Sequence, residues 1–411
     1  MNNASLNRIL RLADLANLRI SVDSREVKNA TGDLNSLSAA SGRAETSIGK
    51  MSSAAKLFGI AAAAGLFMAA KGAIEFQKSM AEISTLVDTS VVSIDELTNS
   101  VRNQAKEFGG DVQTQAKALY QIISAGASDA ATANNILTQS NKLAVGGVTD
   151  VATAADGLTS VLNAFGSKVA GASAVSDAMF VGMKAGKTTI AELSASIGTV
   201  APLAAQMGLS FDEVIATTAA LTKGGISTSV AMNGLRAILA TISKPSEEAA
   251  KLAAKLGIEF NSAAIASKGL AGFMEELKQK TGGSQESMAI LFGGVEALIP
   301  ALALSGQAGK DLNAIMEQMA IKAESTDEAV KKMSGTFDFQ FQKALANSND
   351  IILSLGLSIQ QLLLPVLKFL NNNLVSIQEA FKILAYSVAA AATAFVAFKA
   401  VLGIQFIAAY I

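Results

Sequence analysis

The stretch SIGTVAPLAAQMGLSFDEVIATTAALTKGGIS, Ser196 to Ser227, contains a whole helix with its start and stop. Ser210 stands three residues before Glu213, so a hydroxyl and a carboxylate can each satisfy a backbone amide that a helix start leaves unpaired. Phe211, Val214, Ile215, Thr218 and Leu221 then recur at the period of a helix that buries one face. Gly224 and Gly225 follow where that helix should end.

The same punctuation extends in both directions. Ser93 with Glu96, Thr189 with Glu192 and Ser325 with Glu328 repeat the start signal. Glycines at 109, 110, 126, 146, 147, 166, 186, 208, 282 and 283 cut the chain into helices of about 12 to 20 residues. Between Phe76 and about Ala320 this predicts a globular bundle of short helices. After Glu324 a longer helical stretch is expected (Phe337, Phe341, Leu345), then an apolar run from Ile351 to Leu370 kinked by Pro365.

Composition supports an all-α reading. Hydrophobic residues make up 50% of the chain but aromatics only 5%, and just 4 prolines interrupt it, so Ala, Leu, Ile and Met carry the apolar content. Ala, Leu and Met among them favour helix, and strand-rich chains want more aromatic and β-branched runs. At 411 residues the chain also exceeds what a single core usually serves, which predicts more than one structural unit. The expected divisions are residues 1–75, 76–320 and 321–411.

The same composition removes most chemistry. Histidine and cysteine are both absent, so zinc peptidase motifs, Ser-His-Asp triads, thiol nucleophiles and disulfides have no raw material. Lys and Arg total 33 against 34 Asp and Glu, giving no net field to draw in nucleic acid. No metal or cofactor is expected, and no residue is assigned a catalytic role. Met1 to Lys28 carries Arg8, Arg11, Asp14, Arg19 and Asp23, which breaks every candidate signal-peptide core and points to synthesis in the cytoplasm.

Two glycine-lysine motifs need weighing. Gly182, Lys184, Gly186, Lys187 and Thr188 resemble a phosphate-binding loop, but three residues separate the glycines where four are needed, and Val181 holds the place of the first. Gly306 to Lys310 is followed by Asp311 where a metal-coordinating hydroxyl would stand. Both read better as helix ends, although a nucleotide-dependent helical protein using Gly182 to Thr188 stays open as a rival.

The termini are patterned differently from the middle. Val27, Ala30, Leu34, Leu37, Ser41, Ala44, Ile48, Met51, Ala55 and Phe58 are spaced three and four apart, a heptad stripe for helix–helix association. An amphipathic helix folding back on its own chain fits these residues as well. Leu57 to Ala70, including Phe67, is uncharged between Lys56 and Lys71. Its roughly 21 Å of helix falls short of the roughly 30 Å of a bilayer core, so a buried helix of an oligomeric bundle competes with a membrane span.

Ile383 to Phe398, including Phe395, is uncharged, and the apolar pattern continues through Phe406 to Ile411, about 43 Å of potential helix. These hydrophobic helices are the candidates for membrane insertion. An apolar run that meets the end of the sequence also suggests that the chain continues.

Several blocks resemble one family. FQKSMAEISTLVD (Phe76–Asp88), ALYQIISAGAS (Ala118–Ser128), TAADGL (Thr153–Leu158), VSDAMF (Val175–Phe180), the stretch Ser196–Ser227, NGLRAIL (Asn233–Leu239) and LFGGVEAL (Leu291–Leu298) are similar, in order, to the core of phage tail tape measure proteins. The resemblance covers Phe76 to about Leu304.

It implies a non-enzymatic protein made in the host cytoplasm, lying in the lumen of the tail tube and setting tail length. As a continuous helix the chain would mark off at most about 620 Å, and a globular core shortens that. It further implies self-association as a trimer or hexamer, and contact with the tail tube protein, tail assembly chaperones and tail tip proteins. DNA would be met only by proximity in the tube, and the host membrane during genome delivery. Family members are usually longer, and the peptidoglycan-cutting modules that some carry are missing from this sequence. Two alternatives stand beside it: a membrane-active pore-forming or toxin-like helical protein, and the equivalent part of a phage-tail-like bacteriocin.

Overall fold

A computed structural model describes residues 53–89 and 92–372. All regular structure in them is helical: α1 (Ser53–Ser84), α2 (Ile94–Phe108), α3 (Val112–Ser124), α4 (Ala130–Gly147), α5 (Val151–Phe165), α6 (Ala172–Ala185), α7 (Ile190–Ile197), α8 (Ala201–Gln206) and α9 (Phe211–Lys223). Then follow α10 (Thr228–Ser243), α11 (Glu247–Leu256), α12 (Ser262–Thr281), α13 (Gln285–Phe292), α14 (Val295–Ser305), α15 (Gln307–Ala320), α16 (Ser325–Ser334) and α17 (Phe337–Asn372). The described residues fall into two compact units, Glu75–Ile351 and one comprising residues 53–74 and 352–372.

Many helix starts are capped as their sequences suggest, although Asp111 and Ser227 make no side-chain cap bond at α3 and α10. Thr189 and Ser210 form full reciprocal boxes with Glu192 and Glu213, and the Ser93 hydroxyl accepts from the Glu96 amide. Ser246, Asn261 and Ser284 cap α11, α12 and α13 through the amides of Ala249, Ala264 and Ser287. At α4 and α5 the caps are carboxylates, Asp129 and Asp150, each taking the amide and the hydroxyl of the threonine three residues on. The Thr132 amide, then its hydroxyl, hold the Asp129 carboxyl below its ordinary value near 3.8. Burial alone would raise Asp150; the Thr153 hydroxyl and amide outweigh it and leave that group lowered too.

The fourth expected start is built otherwise. Ser325 makes no cap bond, because the chain enters α16 through Glu324 in the left-handed region (φ 64°), which places Ser325 already inside the helix. The glycine signal also fails at one point. α4 continues through Gly146 and Gly147 and stops at Val148, a valine at φ 53° that is 80% exposed. Both glycines serve packing instead: a Cβ at Gly147 would strike the Ile190 side chain, and one at Gly146 would lie 3.0 Å from the Ala329 Cβ.

Close approach of helix backbones recurs through the larger unit. Gly182 of α6 and Gly186 at its C-terminal cap lie four residues apart and face α9, where Cβ atoms would meet the Ile215 side chain and, at 2.8 Å, the Ala219 Cα. Gly157 of α5 meets Ser194 of α7, and Gly234 of α10 meets Pro300 of α14. α9 lies in the middle of these contacts, with every residue from Val214 to Thr222 buried. Three aromatic contacts reinforce the interior, Phe165 on Phe211 and Phe260 against both Phe273 and Phe292.

The interior is not wholly apolar. Gln115 and Asn141 exchange amide hydrogen bonds of 2.6 and 2.8 Å between α3 and α4, and Gln104 of α2 reaches Thr138 at 2.6 Å. This network ties three helices in one arrangement, since any shift would strand buried amides. Glu213 does similar work at longer range. One carboxylate oxygen closes the Ser210 box, and the other accepts the Leu270 amide at 3.0 Å, where Gly269 (φ 69°) breaks the helical path of α12.

The expectation of membrane-inserting helices is corrected here. Among the described residues no helix is long and apolar enough to cross a membrane. The apolar segment with Leu57 and Phe67 belongs to α1, which runs on into Lys71, Glu75, Lys78 and Glu82. Ala69, Ala73, Phe76, Met80 and Ile83 of that helix are buried on one stripe, the pattern of a helix packed against protein. α17 is a single assigned helix through Pro365. Ile383, Phe395, Phe398 and Phe406 lie outside the described residues.

Four outcomes follow from this packing and capping. Gly182→Val should lower stability by about 1–3 kcal/mol through overpacking against Ile215, read as a reduced midpoint in urea. Gly198→Ala, where nothing lies within 4 Å, should stay within about 0.5 kcal/mol. Glu213→Ala should cost about 1–3 kcal/mol, because it removes a cap and leaves the Leu270 amide unpaired. Finally, a lowered carboxyl contributes stability that is complete above its unfolded pKa and lost as pH falls through the folded one. The stability gap between wild type and Asp150→Ala should therefore hold steady above the ordinary value near 3.8 and narrow below it in an acid titration.

Candidate functional site

The phosphate-loop rival is tested by geometry first. Gly182 and Lys184 lie within α6, and Gly186 ends it, its amide donating to the Gly182 carbonyl at 2.9 Å. The Lys187 amide, which would have to face a phosphate, donates instead to the Thr222 hydroxyl at 3.1 Å. The Thr188 hydroxyl is engaged with Thr228 at 2.7 Å. Gly182 and Gly186 are pressed against α9, so no open loop of amides exists to wrap an anion. Gly306 likewise joins α14 to α15, and Asp311 pairs with Lys223 at 2.7 Å.

The heptad stripe is harder to place. Val27, Ala30, Leu34, Leu37, Ala44, Ile48 and Met51 lie outside the described residues, and Phe58 falls in α1. Of the family-like blocks, the structure brings TAADGL, VSDAMF and the Ser196–Ser227 stretch together around α5, α6, α7 and α9. Their polar residues act on the fold: Asp177 of VSDAMF is buried, and its carboxylate accepts the Thr326 amide at 2.9 Å and the Glu324 amide at 3.1 Å. Asp177 supplies from α6 the cap that Ser325 does not provide. Nothing in the local sequence of either partner announces it, because 149 positions separate Asp177 from Thr326.

Charge pairs mark the outer seams of the larger unit. Asp350 of α17 meets Arg102 at 2.6 Å and Lys106 at 3.7 Å, and Lys142 meets Asp327, Lys322 meets Asp212, each at 2.6 Å. A cavity of about 500 Å³ opens between α4, α6, the end of α15 and α16, lined in part by Phe180, Val181, Ile321 and Met333, with Lys184 and Glu328 at its polar edge. Among the described residues no group of three or more acidic side chains could hold a metal ion. This arrangement positions helices.

Comparison with known proteins agrees with a structural reading. Residues 102–293 match the family described as phage-related minor tail protein. Over 352 residues, 81% of the chain, it is 31% identical to the probable tape measure protein of Clostridium phage phiCD119, and covers 37% of that protein. Over 315 residues, 75% of the chain, it is 26% identical to the tape measure protein of Pneumococcus phage Dp-1, covering 27% of it. The chain thus spans about a third of the length of the curated relatives it matches. No solved structure matches the chain at a comparable level. The alignment runs through the helical body described above and far beyond any single motif, and on that ground the chain belongs to the family of phage tail tape measure proteins.

Proposed function

We propose that this chain serves as a structural part of a phage tail, within a tape measure protein whose helical length sets the number of tube rings. The observation that carries the reading is the identity of 31% sustained over 352 residues with a probable tape measure protein. A body built from capped short helices, in a chain lacking histidine and cysteine, fits a scaffold better than a catalyst. In this reading the protein is made in the host cytoplasm and comes to lie in the tail tube lumen. Its partners are the tube protein, tail assembly chaperones and tail tip proteins, with DNA met only by proximity.

Self-association belongs to the same proposal. The stripe Val27, Ala30, Leu34, Leu37, Ala44, Ile48, Met51 and Phe58 has the spacing with which helices of several copies share a seam, as a trimer or hexamer. A phage-tail-like bacteriocin would use the chain in the same way.

The ruler is tested by changing its length. Deleting three heptads of α17, residues 352–372, should shorten tails seen by electron microscopy by about 30 Å if that segment is read as continuous helix. Duplicating the same residues should lengthen them equally. Tails of unchanged length in both variants would overturn the measuring role.

A further inference from the structure

We propose that α16, with the first turns of α17, is a detachable arm, held shut on the α4–α6 face by a polar clasp and able to open while the rest of its unit stays folded. The inference concerns the unit Glu75–Ile351 alone and stands whether or not the chain measures tails.

The first observation is how little apolar surface holds α16 in place. Of its ten residues only Thr326 is buried, whereas α9 buries all of Phe211 and Val214 to Thr222. Hydrophobic burial is the main force docking helices, so a helix without it depends on whatever polar contacts it makes. Those contacts converge on its first turn. The Asp177 carboxylate takes the Glu324 and Thr326 amides, the Ser176 hydroxyl meets the Thr326 hydroxyl at 3.2 Å, and Lys142 pairs with Asp327.

The second observation is the cost of closure. Glu324 is held at φ 64°, a region that non-glycine residues occupy only when their surroundings impose it. Asp177 is nearly removed from water, and the hydrogen bonds from the arm compensate for its burial. Opening relaxes the first and rehydrates the second. A third observation is the cavity of about 500 Å³ along the seam, which leaves facing side chains of α6 and α16 short of the contact density of a well-packed interior.

The hinge is bounded on the body side. Lys322 is fixed to Asp212 of α9, and the strained Glu324 follows two residues later, so rotation falls between them. Beyond α16, the start of α17 presents Phe337 and Phe341 to solvent, stacked on each other with centroids 6.0 Å apart. Its attachment is again polar and close-fitting: Asp350 to Arg102 and Lys106, and backbone at Gln342 and Lys343 against Gly109. The arm is thus fastened largely by polar contacts and by two close approaches at Gly146 and Gly109, with Ala346 its one buried apolar residue before Ile351, whereas the body around α9 is closed by apolar burial. Opened, it turns a compact end of the unit into an extended helical continuation.

Hydrogen exchange on the full chain reads the arm directly. In wild type, amides of residues 324–334 should exchange at least about tenfold faster than those of α9, as expected of a sub-global opening. Asp177→Asn and, separately, Lys142→Ala should speed exchange in 324–334 further and leave α9 unchanged. Exchange of 324–334 as slow as that of α9 in wild type, or acceleration of both regions together in Asp177→Asn and Lys142→Ala, would overturn the proposal.

Discussion

Every helix begins with backbone amides that no turn precedes, and a fold cut into many short helices multiplies that deficit. In this protein the deficit is met mostly by side chains one turn away: Ser93, Asp129, Asp150, Thr189, Ser210, Ser246, Asn261 and Ser284 each accept an amide of the helix they precede. Two further needs are met across the fold. Glu213 reaches the broken turn at Gly269, and Asp177 reaches the start of α16. Where a cap is local the helix is defined by its own sequence, and where it is remote the helix exists in place only because another one is there.

Packing follows a second economy of the same kind. With few aromatics, this interior gains density by bringing backbones close, at glycines that face Ile190, Ser194, Ile215 and Pro300. Dispersion contacts grow steeply as atoms approach their optimal separation, so a missing Cβ at the crossing contributes more than an added one would. This also explains why a glycine-lysine motif arose at Gly182 to Thr188 without phosphate chemistry. Its glycines are spaced four residues apart to meet α9, and its threonine hydroxyl is used in a side-chain pair.

Together these features describe a molecule whose working properties are shape and the strength of its seams. The body around α9 is held by buried apolar side chains, a reciprocal amide network and close glycine crossings. Its edge at α16 is held by a carboxylate, a hydroxyl and an ion pair. In a structural protein such a graded distribution matters, because the weakest seam decides what moves first.

The helical class and the caps that act within one turn were legible in the residues alone, since each is decided by partners three or four positions apart; that α9 is buried on every side from Val214 to Thr222, and not on one face, was not. The resemblance to tape measure proteins was legible too, through ordered blocks that recur along most of the chain. The membrane reading of the segment with Leu57 and Phe67 failed because that apolar run continues, within one helix, into Lys71, Glu75, Lys78 and Glu82, and no described helix is long and apolar enough to cross a membrane. Ser325 and the glycine pair at 146 and 147 were misread for another reason. Whether Ser325 caps a helix depends on the backbone of Glu324, and that backbone is set by Asp177 from far along the chain. Local sequence specified the helices through short-range hydrogen bonds and periodicity; tertiary structure alone decided which carboxylate, which glycine and which apolar face meets which neighbour, because those contacts form only when distant segments fold together.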